Sequence, residues 1–156
     1  MKKKVVRKHN NSGNCFVCGI NNPWGLKARF YELEDGTVAA LVTAQWEHQS
    51  YPQRVHGGVI TALLDETLGR AINVTEPDTW AVTGDISVRF KKPVPYDEPL
   101  LVTGIGVAFA LDDTRGLDEK LTETFAAMRA DGTMKQIVGK YLPDPEKYLE
   151  VDALEP

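Results

Sequence analysis

The sequence is poor in cysteine, in histidine and in long apolar runs. Of 156 residues, two are cysteine and three are histidine. Two thiols do not make the multi-disulfide framework that holds small secreted domains together. The pair Cys15 and Cys18, in the phrase NCFVCG, supplies two of the four ligands of a structural zinc site. His9, His48 or a second subunit's pair would have to supply the rest. A thioredoxin-like redox motif needs a helix after it, and Asn21-Asn22-Pro23-Trp24-Gly25 follows as a turn. The two cysteines therefore read as reduced thiols in a compact loop, and no metal and no cofactor is expected. No apolar run approaches the ~18 residues of a membrane span. The basic N-terminus, Met1 to Lys8, has only Val5 and Val6 between its charges. It lacks the apolar region of a secretory signal, so it reads as a solvated arm on a cytoplasmic protein without membrane attachment. Basic excess is missing too. The formal net charge is -4, which argues against nucleic acid as a partner but leaves room for a local basic pocket.

What is present suits one globular domain. The hydrophobic fraction is 42% and the charged fraction 26%, and a chain of this length buries roughly 68–70% of its unfolded surface. Strand alternation runs over Leu26 to Leu33 and, after the hairpin signal Asp35-Gly36, over Thr37 to Gln45. An irregular stretch, WEHQSYPQRV, leads to a helix from Gly57 to about Val74. Trp80 to Phe90 has the clearest strand alternation, with Val82, Ile86, Val88 and Phe90 on one face and Thr83, Asp85, Ser87 and Arg89 on the other. Further strands are expected over Leu100 to Ala110, Lys120 to Ala130 and Thr133 to Leu142, the last two as a hairpin around Asp131-Gly132. The division is then an arm and cysteine loop at 1–25, a domain at 26–142 and an acidic tail at 143–156. About six strands and one long helix imply an α+β fold, with a curled antiparallel sheet wrapped around the helix.

The helix carries the chemistry. At ~100° per residue, Ile60, Leu63, Leu64, Leu68 and Ala71 form a core stripe. Gly58, Ala62, Asp65 and Gly69 lie opposite. An exposed helix face normally carries long polar side chains; here one carboxylate stands among small residues, as in a cleft or close approach. Glu66 reads as the surface ion-pair partner of Arg70. The His56-Gly57-Gly58 start leaves first-turn N–H groups near the positive end of the helix dipole, suited to a developing oxyanion. Gly58 and Asp65 are seven residues apart, ~10 Å along the axis. One reacting carbonyl cannot reach both. Two helices packed antiparallel across a two-fold axis would bring Gly58 of one against Asp65 of the other, so catalysis by this pair implies a homodimer.

HGGVITALLDETLG is similar to the motif of hotdog-fold thioesterases of the phenylacetate-degradation (PaaI-like) group, in which His-Gly-Gly opens the central helix and an acid follows nine residues after the His. CFVCGINNPWGL and ISVRFKKPVP also resemble segments of that group. The resemblance implies hydrolysis of an acyl- or aroyl-CoA thioester without metal, by a homodimer or a dimer of dimers. It implies that Asp65 is general base or nucleophile and that the Gly58 N–H polarises the carbonyl. His56 would position the substrate or shape the oxyanion site; the other reading is a helix-start residue packed by its neighbours. It further implies substrate contacts from Gly57, Gln49, Ser50 and Thr83, and coenzyme A phosphate contacts from Arg89, Lys91 and Lys92. Gly69 departs from relatives that carry Ser or Thr one turn after the carboxylate. That departure keeps open a non-catalytic acyl- or aryl-ligand-binding protein. A hotdog dehydratase has a different motif, and a zinc-dependent module on Cys15 and Cys18 remains a further reading.

Overall fold

The computed structural model describes residues 3–104 and 117–140. They fall into two units, within 1–108 and within 109–156. The first unit holds a four-stranded antiparallel sheet in the order β1-β2-β3-β4, with β1 at Val5–Lys8, β2 at Arg29–Leu33, β3 at Val38–Thr43 and β4 at Pro99–Gly104. Helix α1, Gly57–Gly69, lies in the connection from β3 to β4 and packs on those two strands.

The β2–β3 hairpin follows from its turn chemistry. Gly36 takes a φ of 77°, which glycine reaches without strain. Asp35 Oδ1 accepts from the Thr37 N–H at 3.2 Å and from its hydroxyl at 2.7 Å. The Lys3 ammonium and the Thr37 hydroxyl hold the Asp35 carboxyl down to about 2. Register then pairs Phe30 with Ala40 and Tyr31 with Ala39. Phe30, Val38, Ala40 and Val42 are buried and join Val17, Leu26, Ala28, Val55 and Leu63 in one core.

Four expectations are corrected. The basic arm is solvent-exposed, as expected, but it is also a strand: residues 5–8 pair with β2, and Arg7 bonds Glu32 at 2.9 Å and the Asn73 carbonyl at 2.6 Å. Ladder and ion pair hold a segment that has little apolar surface of its own. Residues 80–90 join no ladder among the described residues. Their alternation is genuine, but Trp80, Val82 and Phe90 are exposed, and a strand forms only when a neighbouring backbone takes its hydrogen bonds. The predicted hairpin at 120–142 is helical instead over the part that is described, to Gly139. In the second unit α2, Leu117–Ala130, and α3, Thr133–Gly139, pack on each other. The intervening Asp131-Gly132 does turn, with Gly132 at φ 82° and Asp131 Oδ1 accepting from the Thr133 N–H at 2.8 Å. Lys, Leu, Glu, Ala, Met and Arg dominate residues 120–130, and these are strong helix formers. The described sheet thus has four strands; the expected strand over 100–110 is described to Gly104, and its remainder and the tail at 143–156 lie outside the described residues.

The fourth correction concerns the face of α1. Leu63 and Thr67 are its buried residues, whereas Leu68 is exposed. Thr67 lies against Gly104 of β4: a Cβ at Gly104 would come within 3.1 Å of the Thr67 methyl. The Thr67 hydroxyl donates to the Leu63 carbonyl at 2.6 Å, which satisfies it in the core.

Candidate active site

The start of α1 is fixed from three directions. The Val55 N–H donates to the Val94 carbonyl, and the His56 N–H to the His48 carbonyl, both at 2.9 Å. His56 is the N-cap: its Nδ1 accepts from the Gly58 N–H at 2.9 Å. A Cβ on Gly57 would sit 3.4 Å from the Phe90 ring, so this glycine packs directly under an aromatic. His48 is buried and saturated, with Nδ1 accepting from the Gln45 N–H at 2.9 Å and Nε2 at 3.0 Å from the Trp24 carbonyl.

Beside this start runs an open cleft of about 520 Å³. One wall is α1, through Gly58, Thr61, Ala62 and Asp65; the other is the loop 83–86. Asp65 is half-buried. The Thr83 hydroxyl donates to Asp65 Oδ1 and links the two walls. The Thr61 hydroxyl is directed away, to the Gly57 carbonyl at 3.0 Å. A carboxylate with one oxygen held by a hydroxyl and open space before it has the form of a base poised for water, or of a nucleophile.

Among the residues singled out from sequence, Gly58, Asp65 and Thr83 line the cleft, with His56 and Gly57 at its helix end. Gln49, Ser50, Arg89, Lys91 and Lys92 are exposed and are not part of that lining. Gln49 pairs with Val55 in an isolated bridge, and the Ser50 N–H donates to the Arg54 carbonyl at 2.9 Å. Five lining residues were not among the site candidates drawn from the sequence: Thr61, Ala62, Gly84, Asp85 and Ile86. Asp85 was findable, since alternation places it on the polar face with Thr83.

The back of α1 is equally ordered. Arg70 is buried with each guanidinium nitrogen engaged: Nε with Glu66 Oε1 at 2.8 Å, Nη1 with the Asn10 carbonyl at 3.1 Å and Nη2 with Cys18 Sγ at 3.1 Å. Its guanidinium carbon stands 4.3 Å from the centre of the Phe30 ring, a favourable cation–π placement. The expected Glu66–Arg70 pair is present, but against the protein interior rather than on an open surface.

Residues 53–105, which contain α1, the loop 83–86 and β4, match the family model described as thioesterase superfamily. A solved thioesterase superfamily protein is 34% identical, covers 62% of this chain and 47% of its own, and superposes with a TM-score of 0.54. The chain has the hotdog fold of the thioesterase superfamily. A curated relative, ABC transporter arginine-binding protein 1 of Escherichia coli (strain K12), is 30% identical over 129 residues, 76% of this chain and 49% of that protein. The chain thus spans about half the length of the curated relative and of the solved structure it matches. On the hotdog unit the family match and the cleft coincide: each cleft residue lies within 53–105. No helix among the described residues is long and apolar enough to cross a membrane.

Proposed function

We propose that the cleft hydrolyses an acyl- or aroyl-CoA thioester to the free acid and CoA. The observation that carries this reading is the Asp65 carboxylate, hydrogen-bonded by Thr83, on a helix whose glycine-rich start borders the same cleft. Asp65 activates water or attacks the thioester carbon, and the Gly58 N–H takes the developing oxyanion. In the free protein that N–H is held by His56 Nδ1, so the ring yields its acceptor position when substrate arrives. Gly58 and Asp65 are ~10 Å apart along one helix, so each site draws Asp65 from one subunit and Gly58 from its partner in a homodimer, two such dimers pairing in a tetramer. Gly57, Gln49 and Ser50 border the bound acyl group, and Arg89, Lys91 and Lys92 face the CoA phosphates. The protein works in the cytoplasm and falls in the PaaI-like group.

A thiol-release screen over short, long and aromatic acyl-CoAs, run beside Asp65→Asn, tests the assignment. Release that depends on Asp65 supports it; wild-type-like release in Asp65→Asn sinks it. One observation favours a second reading, a binding protein without turnover: the Gly58 donor is already satisfied by His56. A ligand that raises the melting temperature with no thiol released from any acyl-CoA selects that reading.

A further inference from the structure

The loop before β2 and the last turns of α1 hold a cluster that the cleft does not use. Cys15 to Gly19 form a tight turn in which the Val17 and Cys18 N–H groups both donate to Cys15 Sγ at 3.3 Å. The Gly19 N–H closes it on the Cys15 carbonyl at 2.9 Å. Only glycine fits there, since a Cβ on Gly19 would fall 2.3 Å from that carbonyl oxygen. The second sulfur, Cys18 Sγ, accepts from Arg70 Nη2 at 3.1 Å. Arg70 also holds Glu66 Oε1, and Glu66 Oε2 faces Cys15 Sγ at 4.0 Å. The two sulfurs and the carboxylate oxygen all lie within 4.8 Å of one another.

We propose that Cys15, Cys18 and Glu66 bind one divalent cation of the zinc class, with Arg70 as the positioning residue that orients Glu66 and Cys18. Distance, charge and donor type agree on this. Around a tetrahedral ion with Zn–S of about 2.3 Å, ligand atoms stand roughly 3.5–3.8 Å apart, so atoms that now lie within 4.8 Å of one another close by at most about 1.3 Å. Two thiolates and a carboxylate carry three negative charges and Arg70 returns one positive; a dication makes the cluster neutral. Two sulfur donors select zinc-like ions over magnesium or calcium. The third ligand is Glu66, whose carboxylate oxygen lies within 4.8 Å of both sulfurs, while both nitrogens of His48 are engaged elsewhere; solvent takes the fourth position. The ion ties the cysteine loop to α1 one residue beyond Asp65.

The test is a cobalt titration of the full-length, metal-free, reduced chain. The expected result is a thiolate-to-cobalt charge-transfer band that saturates at one ion per chain and is removed by zinc. Cys15→Ser abolishes the band, Glu66→Gln weakens binding, and Arg70→Lys loses about 10–100-fold in affinity, as for other partners that orient metal ligands. Circular dichroism shows that each variant is folded. No band in the reduced wild type overturns the proposal, as does a band that survives Cys15→Ser and Glu66→Gln together.

Discussion

The Thr83 hydroxyl donates its hydrogen bond to Oδ1 of Asp65, joining a loop to a helix 18 positions earlier in the chain. That bond fixes which carboxylate oxygen faces the cleft. Asp65→Asn removes the proposed base or nucleophile and is expected to lower kcat by ~10²–10⁴-fold, the usual contribution of a positioned base. Thr83→Val removes the orienting hydroxyl at nearly constant volume. It is expected to lower kcat by less than Asp65→Asn, with KM little changed, and Thr83→Ser restores it. Steady-state thiol release by the three variants measures this; full activity in Thr83→Val shows that the hydroxyl has no part in orientation.

The helix start makes a separate prediction about stability. His56 supplies the N-cap acceptor for the Gly58 N–H. Loss of a side-chain cap costs about 0.5–2 kcal/mol, so His56→Ala is expected to shift the urea midpoint downward by that amount, and His56→Asn to recover most of it. Gly58→Ala strikes the same contact from the other side, because its Cβ would lie 3.0 Å from His56 Nδ1 and force the ring to move.

Much of this was legible from local pattern. Asp35-Gly36 announces the β2–β3 hairpin, and HGGVITALLDETLG announces both the helix and its carboxylate. What failed was tertiary. Val82, Ile86 and Val88 alternate like a strand, yet pairing needs a neighbour that alternation does not supply. Residues 120–130 alternate weakly and favour helix by propensity, and propensity prevailed. Leu68 is exposed where a core place was expected and Thr67 is buried instead, although both side chains reach Gly104 of β4. The Asp65–Thr83 contact was half-legible: the sequence pointed to both residues, but not to the bond between them.

His9 gives the chain a pH dependence. Its ring is buried, and Nε2 has no hydrogen-bond partner among the described residues. Burial, then the charges of Arg7 and Arg70, pull its pKa below the ordinary 6.5, against a smaller opposing effect of Glu32. Below 6.5 the unfolded chain therefore binds more protons at this residue than the folded one, and stability falls as pH falls. Above 6.5 both states hold neutral His9 and its effect is flat. Urea midpoints measured from about pH 7.5 down to about pH 5 should decline in wild type and decline less in His9→Phe. Equal slopes would assign the acid sensitivity to other groups.

Gly69 reports on what covers the small face of α1. A Cβ there meets nothing within 4 Å among the described residues. Gly69→Ala is therefore expected to stabilise the subunit by up to about 0.5–1 kcal/mol through helix propensity alone. A partner helix seated on this face tolerates Ala poorly and Leu not at all. Sedimentation of Gly69→Leu should show a dimer weakened by an order of magnitude or more, and an unchanged dimer would place any interface elsewhere.

The division of labour between Gly58 and Asp65 is tested most directly by mixing. Gly58→Pro deletes the N–H in the first helical turn, where proline is tolerated; Asp65→Asn deletes the proposed base or nucleophile. Each homodimer then lacks one half of both sites and is expected to be inactive. Unfolding and re-forming the two variants together at equal concentration gives, by random pairing, one half heterodimers. If a site takes Gly58 from one subunit and Asp65 from the other, each heterodimer has one intact site and one doubly damaged site. The mixture then recovers about a quarter of wild-type activity, because half the dimers carry half their sites. If both residues serve the same site within a subunit, neither chain contributes an intact pair, and mixing recovers nothing.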